Sequence, residues 1–129
     1  MPKRTAPKPT NGELSILRVL WRRGPSTVRE VRDELNEQQE TGYTTVLKMM
    51  QIMTEKGLLE RDDKDRTHVY RPRLAEGETQ RQLVGHLLER AFNGSAKKLV
   101  MQALSTKKTS VKELAEIRQL LDELEGGKQ

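Results

Sequence analysis

The 129-residue sequence contains no cysteine, and this absence removes several kinds of chemistry at once. Disulfides, cysteine-ligated zinc or copper, iron–sulfur clusters and thiol catalysis are all excluded. The only two histidines, His68 and His86, have different surroundings, which argues against a metal site or a histidine-based catalytic centre. We therefore expect no metal and no cofactor, and a reducing, cytoplasmic location is the default.

Long apolar runs and aromatic residues are also scarce. No stretch approaches the ~18 apolar residues of a membrane span, and no secretory signal pattern opens the chain, so we expect a soluble protein without a membrane partner. Only four aromatic residues occur, too few for the exposed stacking platforms that bind single-stranded nucleic acid. Because glycine-rich phosphate loops and nucleophile–base pairs are missing as well, we expect no enzymatic activity.

Positive charge is what the sequence has in excess. Lysine and arginine number 24 against 19 aspartates and glutamates, a formal net charge of +5. Residues 1–75 hold 15 of these cations and 11 of these anions, so most of the excess lies in the first half. A basic, soluble chain of this kind makes nucleic acid the first class of partner to test.

The first half begins with a proline-rich and basic segment that is followed by helical patterns. Residues 1–11 predict a disordered basic arm, which could be a plain tail or could touch phosphate. A first helix is predicted over 12–23, with Trp21 on its apolar stripe. A second helix opens near Thr27, which forms a capping-box pattern with Glu30.

A third helix is predicted from Tyr43 to Lys56, with Gly57 as its terminating glycine. Its apolar spacing predicts a buried face formed by Val46, Met49, Met50 and Met53. The opposite face and its flanks mix hydroxyl, amide, cationic and aliphatic groups, a mixture suited to base edges: Thr44, Thr45, Leu47, Lys48, Gln51, Ile52 and Glu55.

A two-stranded hairpin with a charged tip is predicted next, from Leu58–Arg61 and Thr67–Arg71 around a turn over 62–66. Three short helices followed by a hairpin predict a winged helix-turn-helix domain over residues 12–74. In this arrangement the third helix enters a major groove about 12 Å wide and the hairpin lies along the DNA backbone.

The remaining residues, 75–129, predict a second, helical domain. A hinge over 72–78 is expected to lead into helices over 79–92, 95–104 and 110–126. This half is too small to form a sound core alone, so its apolar stripes predict a second copy of the chain as partner. The alternative is that these helices fold back onto the first domain. The expected dimerisation residues are Leu87, Leu88, Leu99, Leu114, Ile117, Leu121 and Leu124.

The sequence resembles the BlaI/MecI/CopY, or penicillinase repressor, family of transcriptional repressors. The resemblance is carried by Glu13–Leu17 with Leu20-Trp21, Val28-x-x-Val31, Tyr43–Val46, Glu55–Leu59 and His68–Tyr70. It is looser in the second half, around Phe92–Gly94 and Leu99-Val100. It implies a mostly α-helical protein, a winged-helix domain plus a helical dimerisation domain, that binds a palindromic operator as a homodimer, often at TACA/TGTA half-sites.

The resemblance also implies which residues bind DNA. Lys48 and Gln51 would make polar contacts to base edges or phosphates, and Thr45 and Leu47 would meet thymine methyl groups. Arg22 or Arg23 could hold further phosphates, and Thr44 could instead cap the third helix. The full set of predicted DNA-binding residues is Tyr43, Thr44, Thr45, Leu47, Lys48, Gln51, Lys64 and Arg66.

Two departures from the family pattern bear on regulation. Copper-sensing members carry a cysteine cluster in the tail, and this chain has no cysteine, so that mode of sensing is excluded. Members that respond to β-lactams are cleaved by a protease, and the bond aligned with that site lies near Gln102-Ala103 in a different local sequence. The sequence therefore leaves open whether a protease or a sensor system is a partner of this protein. The alternatives to an operator-binding repressor are a winged-helix protein–protein adaptor and a small-molecule-responsive regulator.

Overall fold

The computed structural model describes residues 7–127, so most of the predicted basic arm lies outside the described residues. The described part consists of a helix-rich first half that contains one antiparallel hairpin, followed by three further helices. The elements in chain order are α1 (Asn11–Arg23), α2 (Val28–Asn36), α3 (Tyr43–Lys56), β1 (Leu59–Asp62), β2 (Val69–Pro72), α4 (Glu76–Ala91), α5 (Ala96–Thr106) and α6 (Val111–Gly126).

The predicted bounds of the first three helices are confirmed to within about two residues, because local capping signals determine them. The Thr27 hydroxyl accepts a hydrogen bond from the Glu30 N–H and the Glu30 carboxylate accepts one from the Thr27 N–H, so the predicted capping box opens α2. Gly57 ends α3 with φ of 87°, a left-handed conformation that favours glycine. The last residue of the predicted arm, Asn11, is instead the first residue of α1.

The core lies between α1, α2, α3 and the hairpin. Three residues of the predicted buried face of α3, Val46, Met50 and Met53, are fully buried, whereas Met49 is half-buried at the edge of the core. From the hairpin, Leu59 and Tyr70 are buried, and from the other helices Ile16, Leu17, Val19, Leu20, Val28 and Val31. This packing gives α3 one anchored face and leaves its opposite face free.

The hairpin is attached to the helices by a backbone bridge. Strands β1 and β2 pair antiparallel with Leu59 opposite Pro72. Ser26, in the connection between α1 and α2, exchanges both backbone hydrogen bonds with Tyr70 at 3.0 and 2.8 Å. Because Ser26 and Tyr70 are both buried, this bridge holds the hairpin beside the helical core.

An ion pair between the buried Glu13 and the half-buried Lys56 joins the start of α1 to the end of α3. The Glu13 carboxylate accepts hydrogen bonds from the Thr10 N–H and, at 2.8 and 3.0 Å, from Lys56 Nζ. Burial alone would raise the pKa of Glu13, but the hydrogen bonds from Lys56 and Thr10 outweigh it and hold the pKa below its ordinary value of 4.5. A single carboxylate therefore caps α1 and fixes the C-terminal end of α3.

Glu13→Gln is expected to lower the free energy of unfolding by roughly 1–3 kcal/mol at pH 7, because Lys56 loses its anionic partner. The folded-state pKa of Glu13 is depressed, so its contribution is complete above about pH 4.5 and is lost as the pH falls through the folded value. Urea unfolding followed by the fluorescence of Trp21, measured from pH 7 to pH 3.5, checks this. The exposed Glu55→Gln serves as control, and an equal deficit of Glu13→Gln at both ends of the range would contradict the assignment.

The chain divides into two compact units between Val84 and Gly85, within α4. The predicted hinge over 72–78 is wrong, since α4 begins at Glu76 and Thr79 is buried. The residues before α4 are held to the first unit, because the Trp21 indole N–H donates to the Leu74 carbonyl at 3.1 Å. The domain boundary predicted after residue 74 stays a prediction. The first turns of α4, up to Val84, belong to the same compact unit as the winged helix.

The second unit has no buried apolar side chain among its described residues. The serine N-caps expected from the sequence are present, Ser95 on α5 and Ser110 on α6. Of the expected dimerisation residues, Leu88, Leu99 and Ile117 are half-buried, and the other four are 38–59% exposed, namely Leu87, Leu114, Leu121 and Leu124. In a single copy of the chain these helices expose the apolar surface that they would normally bury.

Candidate nucleic-acid interface

The outward face of α3 is available along the length of the helix. Thr44, Lys48, Gln51 and Glu55 are all exposed, as the spacing predicted. Gly42 occupies the N-cap position and supplies no side-chain hydrogen bond, so Thr44 is not the cap of α3. Leu47 is half-buried and packs against the core. Less of its side chain is therefore exposed for contact with a partner than in the polar residues of this face.

The hairpin, or wing, carries two cations that its own carboxylates leave unpaired. Asp63 lies 2.8 Å from the Arg61 guanidinium and 2.7 Å from His68 Nδ1, and the hydrogen bond from Arg61 to Asp63 raises the pKa of Arg61. Lys64 and Arg66 are exposed, and neither has an ion pair among the described residues. Asp62 and Asp65 also form no ion pair among the described residues, so the unpaired side chains of the wing carry both signs of charge.

A cleft of about 430 Å³ separates the start of α3 from the wing. It brings together three of the predicted DNA-binding residues, Tyr43 and Leu47 from α3 and Arg66 from the wing. His68 also lines it, and Tyr70 closes it from the core side. The other predicted residues do not line this cleft: Thr44, Thr45, Lys48 and Gln51 lie elsewhere on α3, and Lys64 lies in the wing turn.

One residue of this cleft, Arg29, is absent from the sequence-based prediction. Its guanidinium carbon lies 5.9 Å from the centroid of the Tyr43 ring, within the range of a cation–π contact. Arg29 is the second residue of α2 and is exposed. The available signal was an arginine two residues after the Thr27 cap, in the first turn of the helix that precedes the recognition helix.

The arginines at the end of α1 are engaged within the protein. Arg22 pairs with Glu34, and Arg23 lies 3.3 Å from Glu30 and 3.6 Å from Glu34. The hydrogen bond from Arg22 lowers the pKa of Glu34. Because α2 carboxylates already neutralise both guanidiniums, these residues are weaker candidates for phosphate contacts than the sequence suggested.

The described residues contain no cluster of histidine, cysteine, aspartate or glutamate suited to a metal ion. None of the helices in the described region is long and apolar enough to cross a membrane.

A three-helix core that displays one face of its third helix beside a two-stranded hairpin defines a winged helix-turn-helix DNA-binding domain. The family model of the penicillinase repressor matches residues 9–123. The chain therefore belongs to the penicillinase repressor family, which is a family of DNA-binding transcriptional repressors, and the resemblance noted in the sequence is confirmed.

Individual relatives agree with this assignment. The penicillinase repressor of Bacillus licheniformis is 26% identical over 117 residues, which cover 91% of each chain. The transcriptional regulator BlaI of Mycobacterium tuberculosis is 28% identical over 116 residues, 89% of this chain and 83% of that protein.

Solved structures support the predicted fold class. The solution structure of the DNA-binding domain of the repressor BlaI matches with a TM-score of 0.51 and 25% identity, covering 59% of this chain and 93% of that one. The structure of a complex of hsRosR matches with a TM-score of 0.53 and 17% identity over 95% of both chains, a likeness of fold alone. The prediction of a mostly helical protein with a winged helix is thereby confirmed.

Proposed function

We propose that this protein represses transcription as a homodimer that binds a palindromic DNA operator. The observation that carries the proposal is the exposed polar face of α3 beside a cleft that has cations on both of its sides. Side chains such as Lys48 and Gln51 on this face would read base edges, while Arg66 and Lys64 of the wing would hold phosphates. The cationic contacts would supply the salt-sensitive part of the affinity.

The apolar surface of the second unit supports the homodimer. No apolar side chain of α5 or α6 is buried in one copy, although both helices carry apolar stripes. Since symmetric dimers are the commonest soluble oligomers, a second copy of the same chain is the simplest cover for these stripes. Two copies related by a two-fold axis would present two recognition helices, and this symmetry calls for an operator with palindromic half-sites.

In the mechanism that we propose, the dimer inserts its two α3 helices into successive major grooves, about 34–36 Å apart. The bound dimer then excludes RNA polymerase from the promoter by occupying the same DNA, and this takes place in the cytoplasm. Relief of repression by a protease is an additional hypothesis. The bond between Gln102 and Ala103 lies inside α5, and both residues are exposed, so cleavage there requires local unwinding of this helix.

Selection from a pool of random DNA duplexes tests this function. The full-length protein is equilibrated with the pool at two salt concentrations, and the bound duplexes are sequenced after several rounds. We expect an enriched palindrome and an affinity that falls steeply with salt. Absence of enrichment together with absence of duplex binding at low salt would overturn the repressor and favour a winged-helix adaptor, whose protein partner a pull-down would then identify.

A further inference from the structure

We propose that Arg29 is a DNA-binding residue that holds one backbone phosphate in the cleft between α3 and the wing, opposite Arg66. In this proposal the Tyr43 ring positions the Arg29 guanidinium. The inference rests on the proposed function and adds to it a contact from α2, a helix that the sequence assigned no role in binding.

Among the described residues, Arg29 has no carboxylate that neutralises its guanidinium. Its neighbours on α1 and α2 do, since Arg22 and Arg23 pair with glutamates of α2 and Arg32 lies 3.1 Å from Asp33. In the part of the chain that the structure describes, Arg29 and Arg66 belong to no ion pair. An exposed guanidinium left without an anion in a region rich in carboxylates is available for an external anion.

The lining of the cleft also favours an anion. Arg29 lies on its α2 side, Arg66 and His68 lie on its wing side, and none of its nine lining residues is acidic. The wing itself contains Asp62, Asp63 and Asp65, yet these carboxylates lie outside the cleft lining. By contrast, the larger groove of about 540 Å³ beside α1 and the α2–α3 connection is lined by Glu34 and Glu40 as well as by arginines. Unlike this groove, the cleft next to the wing is lined by Arg29 and Arg66 and by no carboxylate.

The position of the Arg29 guanidinium beside Tyr43 favours a phosphate as well. Arg29 lies over the face of Tyr43, with 5.9 Å between its guanidinium carbon and the ring centroid. A guanidinium held over an aromatic ring keeps its N–H donors, which lie in its own plane, free to pair with two phosphate oxygens. Contact with the ring also restricts the rotamers of a long side chain, so less conformational freedom is lost when the phosphate binds. Lysine cannot reproduce this planar donor arrangement.

Neutral phosphate analogues test the contact directly. The full-length protein is titrated against duplexes of the selected operator in which single phosphates are replaced by uncharged methylphosphonates. For the wild type, we expect a loss of at least about tenfold in affinity at the phosphate held by Arg29. For Arg29→Ala, binding is expected to be weaker on the unmodified duplex and insensitive to replacement at that one position.

The salt dependence gives a second readout. Arg29→Ala is expected to reduce the slope of log K against log salt by about 0.9 for each half-site. The matched control is Arg90→Ala, which removes an exposed arginine of α4 and is expected to leave the slope and the methylphosphonate profile unchanged. Far-ultraviolet circular dichroism and sedimentation confirm that each variant is folded and has the wild-type mass.

The role of Tyr43 is tested by a double-mutant cycle on binding affinity. If the ring positions Arg29, the effects of Arg29→Ala and Tyr43→Ala are coupled, and Arg29→Ala costs as much affinity in a Tyr43→Phe background, which keeps the ring, as it does in the wild type. Arg29→Lys should restore the salt slope but only part of the affinity.

The outcomes distinguish a failure of the operator-binding function from a failure of the role of Arg29. A wild-type protein that binds no duplex overturns both the operator-binding function and this inference. A wild-type protein that binds the operator, combined with an Arg29→Ala variant whose affinity, salt slope and methylphosphonate profile are unchanged, overturns the role of Arg29 and leaves the function intact. Additive effects of Arg29→Ala and Tyr43→Ala would remove Tyr43 as the positioning residue.

Discussion

Leu121→Asp is expected to convert the protein into a monomer and to remove operator binding at concentrations at which the wild type is saturated. Leu121 is 55% exposed in a single copy and lies on the apolar line of α6 with Ile117 and Leu124. If a second copy covers this line, the new carboxylate is buried without a partner, at a cost of several kcal/mol. Ile117→Asp, one turn earlier, is expected to act in the same way.

Sedimentation velocity at several protein concentrations measures the effect. The control is Gln119→Asp, which introduces the same charge into the same helix on the side away from Leu121, where the residue is exposed. We expect this control to sediment as the wild-type dimer. A dimer that survives both Leu121→Asp and Ile117→Asp would exclude α6 from the interface and would favour packing of the helices against their own chain.

The loss of DNA binding follows from the loss of bivalency. A monomer holds one half-site, whereas the second half-site of a dimer is bound as an intramolecular step at a high effective concentration. Linkage of this kind raises overall affinity by roughly 10²–10⁴ without any new contact. The winged-helix unit of the variants should remain folded, since its core is composed of residues from α1 to β2 and Leu74.

The elements that the sequence predicted well are those that local chemistry determines. The bounds of α3 agree at both ends because Gly57 adopts a conformation that other residues disfavour and because apolar spacing runs without interruption from Val46 to Met53. The capping box of Thr27 and Glu30 likewise depends on residues three positions apart. The exposed face of the candidate site follows from the same helical periodicity.

The features that the sequence did not predict all depend on contacts between distant segments. The pair of Glu13 with Lys56 spans 43 positions, and the hydrogen bond from the Trp21 indole to Leu74 spans 53. The predicted hinge was wrong for this reason. Glu76 and Gly77 are typical of a hinge, but they lie in α4 because Leu74 and Thr79 on either side of them are buried. The proximity of Arg29 to Tyr43 is of the same kind, because periodicity places residues on a face but does not bring two helices together.

Lys48→Ala is expected to weaken binding to the matched operator by roughly 1–3 kcal/mol per contact, between about fivefold and more than a hundredfold. Lys48 lies at the middle of the exposed face of α3, and it has no ion pair among the described residues, so its ammonium is free for a base edge or a phosphate. The dimer should be unaffected, because Lys48 lies in the winged-helix unit.

Fluorescence anisotropy with the selected operator, together with sedimentation, checks this expectation. Lys108→Ala is the matched control, since it removes an exposed lysine from the connection between α5 and α6. Repeating the duplex selection with Lys48→Ala distinguishes the two kinds of contact: relaxed preference at one position of each half-site indicates a base edge, whereas a uniform loss with a shallower salt slope indicates a phosphate. Equal affinities of Lys48→Ala and the wild type for the matched operator would refute the role of Lys48 and would move the reading of bases to Thr45 and Gln51.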